Sequence, residues 1–550
     1  MKKIFSIAVL AALALPALAQ DTYTNDRISN TSDINGTARY VGMGGAMGAL
    51  GADISTMSTN PAGTALMSKG VFSIGMGALI QKEKPLPGDD KSHYSFDQVG
   101  FVAPLNINGD NLKRIAFGLN FQKKLDFNHS MFANQSGLGG LSQAAQLAGL
   151  AQDYWDQLNP NSFLRDSYYY GLYDVYAADG SQLGFQTTDN SYFRTTSGNL
   201  YALDINFSMN HQDRYYFGLT VGVDFLSYSS YSSYVEQRAG VYSDGTLMEE
   251  THPDYNQNYT VNADQHISGA GVNFKLGGII YPFEENPFRL GLAIESPTFY
   301  TLTKEKSYTT VYSMWKGHED KTTNTYYYTP ESATYNSLDD NYLEYNLYSP
   351  WKFRIGIGST VGRSFAWDIE YEYSLNKRTK MGYPRTIYRD YWGTTSSITM
   401  DKDRSLNTMT SNIMKGVHNI RAGIEFKPTS HLALRAGYNF YSKPFKTDAR
   451  FSQDEFSEAM NYQLGTDYTN LGVTNIISCG IGWQGKHWFA DMAYKYRIQK
   501  GDFYAFDDFY QTSSDATHEA QFVRSSTGAL QPVEVNLSRH ALTFTVGYRF

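Results

Sequence analysis

The sequence predicts an all-β fold: a 14-stranded antiparallel transmembrane β-barrel with an N-terminal hatch, or plug, in its lumen. Three observations carry this. The chain opens on a positive, then apolar leader. Its extended segments alternate strictly, with charge confined to one face. It closes on an aromatic residue, Phe550, at the foot of such a segment. Composition agrees: 44 Tyr, 32 Phe and 48 Gly in 550 residues favour many short strands over long helices.

The leader comes first. Lys2 and Lys3 precede the apolar run Ile4 to Leu15, and Ala17-Leu18-Ala19 fits the small-x-small rule. Residues 1–19 therefore read as a signal peptide cleaved before Gln20. Gln20 is not cysteine, so no lipid anchor is expected. No later run reaches the roughly 18 apolar residues of a spanning helix. The single cysteine, Cys479, permits no internal disulfide. A net charge of −8 argues against nucleic acid as a partner.

Residues 20–69 lack strand alternation and are assigned to the hatch. Gly42, Met43, Gly44, Gly45, Ala46 and Met47 form a small-residue run that permits close backbone packing. Met43, Met47, Met57 and Met67 supply adaptable apolar surface, for a ligand or for the packing of the plug itself. Asp53–Thr59 reads as a short helix. Asn60 caps a second one whose first residue is Pro61, followed by Ala62 and Gly63.

Residues 70–550 are assigned to the barrel. Strands are placed near 70–82, 93–105, 113–127, 197–211, 214–236, 258–282, 287–312, 342–361, 364–378, 415–427, 430–443, 472–484, 487–502 and 536–550. Phe217, Leu219, Val221, Val223 and Phe225 oppose Gly218, Thr220, Gly222 and Asp224. Leu542, Phe544, Val546, Tyr548 and Phe550 oppose Thr543, Thr545, Gly547 and Arg549. A soluble sandwich alternates too, but an aromatic-weighted apolar face after an export signal points to lipid. The third strand loses its alternation at Lys123-Lys124, read as its upper rim rather than a kink. Short turns, such as Gln212-Asp213, alternate with long polar connections, which parity places outside the cell. In the first long connection, Leu141, Ala144, Leu147, Ala151, Tyr154 and Leu158 recur at helical spacing. That face reads as packing on the rim, with an external capture surface as the alternative.

Gly42-Met43-Gly44-Gly45-Ala46, then Asp53, then Asn60-Pro61-Ala62-Gly63 before a strand resembles the hatch of the FadL/TodX family of outer-membrane transporters of hydrophobic compounds. The motif match covers residues 37–67, and the terminal Tyr548-Arg549-Phe550 resembles a barrel-assembly signal. The resemblance implies passive uptake through a 14-stranded barrel, with ligand passing to a site against the hatch and leaving after hatch movement, often through a lateral gap near the third strand. Hatch residues Gly42, Met43, Gly44, Gly45, Met47, Met57, Asn60, Pro61, Ala62 and Gly63 are the ligand-binding or gating candidates. The implied partners are a hydrophobic small molecule such as a long-chain fatty acid, outer-membrane lipid and the assembly machinery. The protein is expected to act as a monomer in the outer membrane.

No catalytic constellation is evident. The 11 histidines are scattered, with no nucleophile elbow or metalloprotease helix. Asp339-Asp340 and Asp401-Lys402-Asp403 lack a calcium-loop pattern and read as loop carboxylates. No enzyme activity, metal or cofactor is expected. Two other readings stay open: a structural or interaction barrel serving as a secretion or attachment platform, and an open porin.

Overall fold

The computed structural model describes residues 19–550 except 32, 83–90, 108, 139–140, 170–174, 177–181, 242–256, 321–324, 337–341, 388–396, 448, 451–455, 508, 513–520 and 525–529. The leader up to residue 18 and the pair Asp339-Asp340 thus lie outside the described residues.

Fourteen antiparallel strands close on themselves. They are β1 (Val71–Gln81), β2 (His93–Asn106), β3 (Leu112–Asp126), β4 (Gln182–His211), β5 (Tyr215–Val241) and β6 (Gln257–Ile280). Next come β7 (Arg289–Glu295, resumed as Phe299–Asp320), β8 (Tyr342–Tyr348, resumed as Lys352–Val361), β9 (Phe365–Ser374) and β10 (Val417–Phe426). The last four are β11 (Leu432–Tyr441), β12 (Tyr468–Gln484), β13 (Trp488–Tyr504) and β14 (Arg539–Arg549). Each pairs with its sequence neighbours. The ring shuts where β1 meets β14, from Val71↔Arg549 to Gln81↔Arg539. At that seam Phe550 N donates to Gly70 O (3.0 Å), which seats the chain end beside the first strand.

The alternation read from the sequence is the inside–outside pattern of the wall. On β5, Phe217, Leu219 and Phe225 are exposed outward, while Thr220 and Asp224 are buried inward. Inward charges are paired: Lys275 with Asp204 (2.6 Å) and Arg435 with both Glu425 (2.7 Å) and Asp491 (2.6 Å). A charge out of water needs such a partner.

Three strands run far beyond a membrane crossing, and β4 also far beyond the range 197–211 expected for it. β4, β5 and β6 have 30, 27 and 24 residues, whereas a membrane crossing needs about 10. Residues 182–196, assigned above to a loop, therefore belong to the wall. β7 and β8 are each interrupted where a proline removes a ladder donor, at Pro297 and Pro350. The two breaks are neighbours, tied by Ser349 N to Thr298 O (3.1 Å) and Thr298 N to Ser349 Oγ (2.8 Å).

The reading of Lys123-Lys124 as a rim is corrected. The register with β4 shifts between Lys123 and Leu125, the strand runs on to Asp126, and residues His129–Ser136 extend the pairing with β4. The two lysines mark a bulge inside the wall, because both turn toward interior carboxylates. The helix at Gln143–Tyr154 packs inward: Ala144, Leu147, Leu150 and Ala151 are buried, and Glu236 accepts from Ser142 Oγ (2.6 Å) and Gln143 N (3.0 Å) at its start.

Candidate functional site

The described residues of 21–67 are mostly buried and touch the inward faces of strands around the ring. Local capping shapes the segment. Thr37 caps Ala38–Gly42, Asp53 caps the tight turn Ile54–Ser58, and Asn60 caps Pro61–Leu66. Wall glycines make room for it. A Cβ on Gly218 or Gly277 would overlap Pro61 or the Asn60 side chain, and one on Gly437 would overlap Gly44. Gly44 itself has φ 66°, a conformation that favours glycine.

The candidate residues cluster at these contacts. Met43 lies against Gly423, and Met57 lies against Gly118. Met43, Met47, Met57 and Ala62 are 0–1 % exposed. Gly42 O accepts from Ser478 Oγ (3.4 Å), Gly45 N donates to Tyr40 O (3.0 Å), and Gly63 O accepts from Ala52 N (2.8 Å). Pro61 O accepts from Asn206 Nδ2 (3.2 Å). None of the ten lines one of the cavities described next. Tyr548 and Phe550 sit on the outward face at the foot of β14.

Polar ties fasten the segment further. Arg39 pairs with Glu425 (3.0 Å), Asp368 Oδ2 accepts from Ala49 N (3.0 Å) and Leu50 N (2.7 Å), and Arg289 donates to Leu50 O (2.6 Å). Asp33 is held by Lys495 (2.9 Å) and Arg539 (3.0 Å).

The open space lies above, around residues 27–31. A cavity of about 90 Å³ is lined by Arg27, Arg194, Arg497, Arg539, His129 and a single carboxylate, Asp126, on its polar side, and by Leu125, Phe127, Met131, Leu471 and Leu537 on its apolar side. A second of about 40 Å³ shares Arg27 and Arg194 and adds Tyr23, Tyr228 and Tyr468. A third of about 80 Å³ shares Thr31 and Leu125 and adds Lys123, Lys124, Glu295, Arg354 and Glu372.

Charge in the first cavity is unbalanced. Arg194 pairs with Asp467 and Arg539 with Asp33. Arg27 reaches only the Tyr228 hydroxyl (3.3 Å) and Arg497 only Gln499 Oε1 (2.8 Å), and Arg497 Nε has no partner among the described residues. Burial, then Arg539, Arg27 and Arg497, hold the His129 imidazole down to about 3. It is neutral, and its Nε2 is unpartnered. None of these cavity residues was picked out from the sequence. Nothing in a lone Arg27 or Arg497 distinguishes it from a wall arginine.

The third cavity abuts a break in the wall. The β2–β3 ladder ends at Gln98↔Gln122. β2 skips Asp97 in its pairing with β1, and β3 skips Lys124 in its pairing with β4. Above this level side chains bridge the two strands, Lys123 to Asp97 (2.9 Å) and Asp126 to His93 (3.0 Å), and Lys123 also pairs with Asp126 on its own strand (3.3 Å). On the outer side Tyr201 stacks on Phe121 (5.1 Å) and donates to Phe96 O (3.3 Å).

No family model matches the chain, and no curated protein is similar to it in sequence. Solved structures with a similar overall fold include a Pseudomonas aeruginosa FadL homologue (TM-score 0.48, 12% identity, 94% of this chain and 99% of that one). Others are the Pseudomonas putida toluene transporter TodX (0.44, 12%, 94% and 99%) and the CymD monoaromatic hydrocarbon channel (0.45, 10%, 94% and 98%).

Proposed function

We propose that this protein is an outer-membrane barrel for passive uptake of hydrophobic small molecules that carry an acidic head group, long-chain fatty acids being the simplest example. Residues 20–69 act as its hatch. The observation that carries this reading is the cavity at Arg27 and Arg497. It pairs apolar side chains with a buried guanidinium, Arg497, and a half-buried one, Arg27, neither of which has a carboxylate partner among the described residues. A buried, uncompensated cation costs several kcal/mol, and an incoming carboxylate relieves that cost while its tail fills the apolar side. The exit favoured by this geometry is lateral. The third cavity, which shares Thr31 and Leu125 with the first, abuts the break between β2 and β3, whereas the segment below is tied to the wall.

The test is uptake of radiolabelled oleate into proteoliposomes. Wild type should exceed empty vesicles. Arg27→Ala/Arg497→Ala should lower oleate uptake about tenfold, the order expected for losing one charge-assisted contact. Wild-type uptake equal to that of empty vesicles would remove the transport reading and favour an interaction platform. Unchanged uptake by the double variant would remove the head-group assignment alone.

A further inference from the structure

A fourth cavity lies on the opposite, outward side of the wall. It is a groove of about 450 Å³ across β4, β5, β6 and β7, lined by Ser229, Tyr231, Asp264, His266 and Glu305, with Lys91 at one side. Register sets its floor. Ser229, His266 and Glu305 form one cross-strand row, and Tyr231 pairs with Asp264 in the next. Ser229 Oγ and His266 Nδ1 are 2.8 Å apart. Asp264 and Glu305 are exposed, and neither forms an ion pair among the described residues.

Its height identifies the occupant. Along β5 the exposed apolar column ends at Phe225 and continues as Ser227, Ser229 and Tyr231. Ser229 is thus about 13 Å further along the strand at roughly 3.3 Å per residue. With the usual tilt it stands about 10 Å above the hydrocarbon. The groove is continuous with the lipid-facing surface and lies at the level of lipid head groups.

We propose that this groove docks the saccharide head group of an outer-leaflet glycolipid. The inference rests on the outer-membrane placement but not on the transport route. Two carboxylates accept pairs of sugar hydroxyls, serine and imidazole add donors, and the Tyr231 ring offers a flat apolar face to a pyranose. The same carboxylates repel phosphate, whether of a phospholipid or of the lipid end of a glycolipid, so recognition at this height runs through uncharged sugar hydroxyls.

Native mass spectrometry of the full-length barrel released from mixed vesicles tests this. The vesicles contain rough-type lipooligosaccharide and phosphatidylethanolamine. Wild type should retain the glycolipid, and Asp264→Asn/His266→Ala/Glu305→Gln should retain at least about tenfold less. Gln237→Ala, higher on the same outward column, should behave as wild type. Heat-shifted migration on gels checks that each variant is folded. Equal glycolipid retention by the triple variant, or equal retention of phosphatidylethanolamine by wild type, overturns the assignment. Free core oligosaccharide binding as tightly as the intact glycolipid overturns the lipid source and makes the groove a receptor for soluble glycan. Oleate uptake by the triple variant should equal that of wild type, so this proposal and the transport reading fail separately.

Discussion

Asn60 joins three parts of the molecule through one amide. Its Oδ1 accepts from Ala62 N (3.2 Å), and its Nδ2 donates to Gly48 O (2.6 Å) and to Gly278 O on β6 (3.2 Å). The cap was legible in the sequence, since Asn before Pro at a helix start has few other uses. The ties to Gly48 and Gly278 were not, because 12 and 218 residues separate the partners. Asn60→Ala removes the cap, worth about 1 kcal/mol, and leaves a buried carbonyl short of a donor, worth about 1–3 kcal/mol. It should lower the thermal midpoint of the detergent-solubilised barrel and alter oleate uptake. Asn60→Asp keeps the acceptor and loses the donor. If it melts and transports like wild type, the ties to Gly48 and Gly278 are immaterial and Asn60 is only a cap. Asp403, read from the sequence as a solvated loop carboxylate, instead caps the helix Arg404–Ile413 through Leu406 N (2.9 Å).

Among the elements, β3 keeps its expected span but not its expected end. Its lower half alternates as the sequence shows, but Lys123-Lys124 turns inward to bury both amines against carboxylates: Lys123 on Asp97, and Lys124 on Asp224 (2.9 Å). Periodicity alone cannot separate a strand that ends from one that bulges, because either way the pattern stops. The carboxylates that decide it lie on β2 and β5. Where side chains replace the ladder, local opening is cheaper. Amides of residues 93–97 and 123–126 on the facing edges of β2 and β3 should therefore exchange at least about tenfold faster than those of Gly100–Ala103. Lys123→Ala should widen that difference. Hydrogen exchange with mass spectrometry measures both, and uniform protection along β2 would mean the wall is closed there.

For the whole molecule, strand number, closure and inside–outside faces were readable, because a period of two repeated through the chain leaves few alternatives. The cavity was not readable. It forms where Arg27 and Thr31 of the N-terminal segment meet Leu125, Leu471 and Arg497, drawn from four remote stretches of sequence. A 14-stranded ring without residues 20–69 would have an interior too wide for its own side chains. The intact protein should therefore pass little current in planar bilayers, and the variant lacking residues 20–69, once shown to be folded by gel migration, should form large, steady channels. Large conductance already present in the intact protein would restore the porin reading.

The length of β4, at 30 residues, has a consequence for diffusion. At roughly 3.3 Å per residue its contour is about 100 Å, and the tilted wall rises far beyond a hydrocarbon core of about 30 Å. A greasy solute approaching a bare membrane faces a hydrated sugar layer before it reaches any oil, and its partitioning into that layer is poor. On the uptake reading proposed above, a wall that carries its sheltered interior up through the layer acts as a chimney: it moves the point of first contact out into the medium, so that solubility in the sugar layer no longer limits the flux.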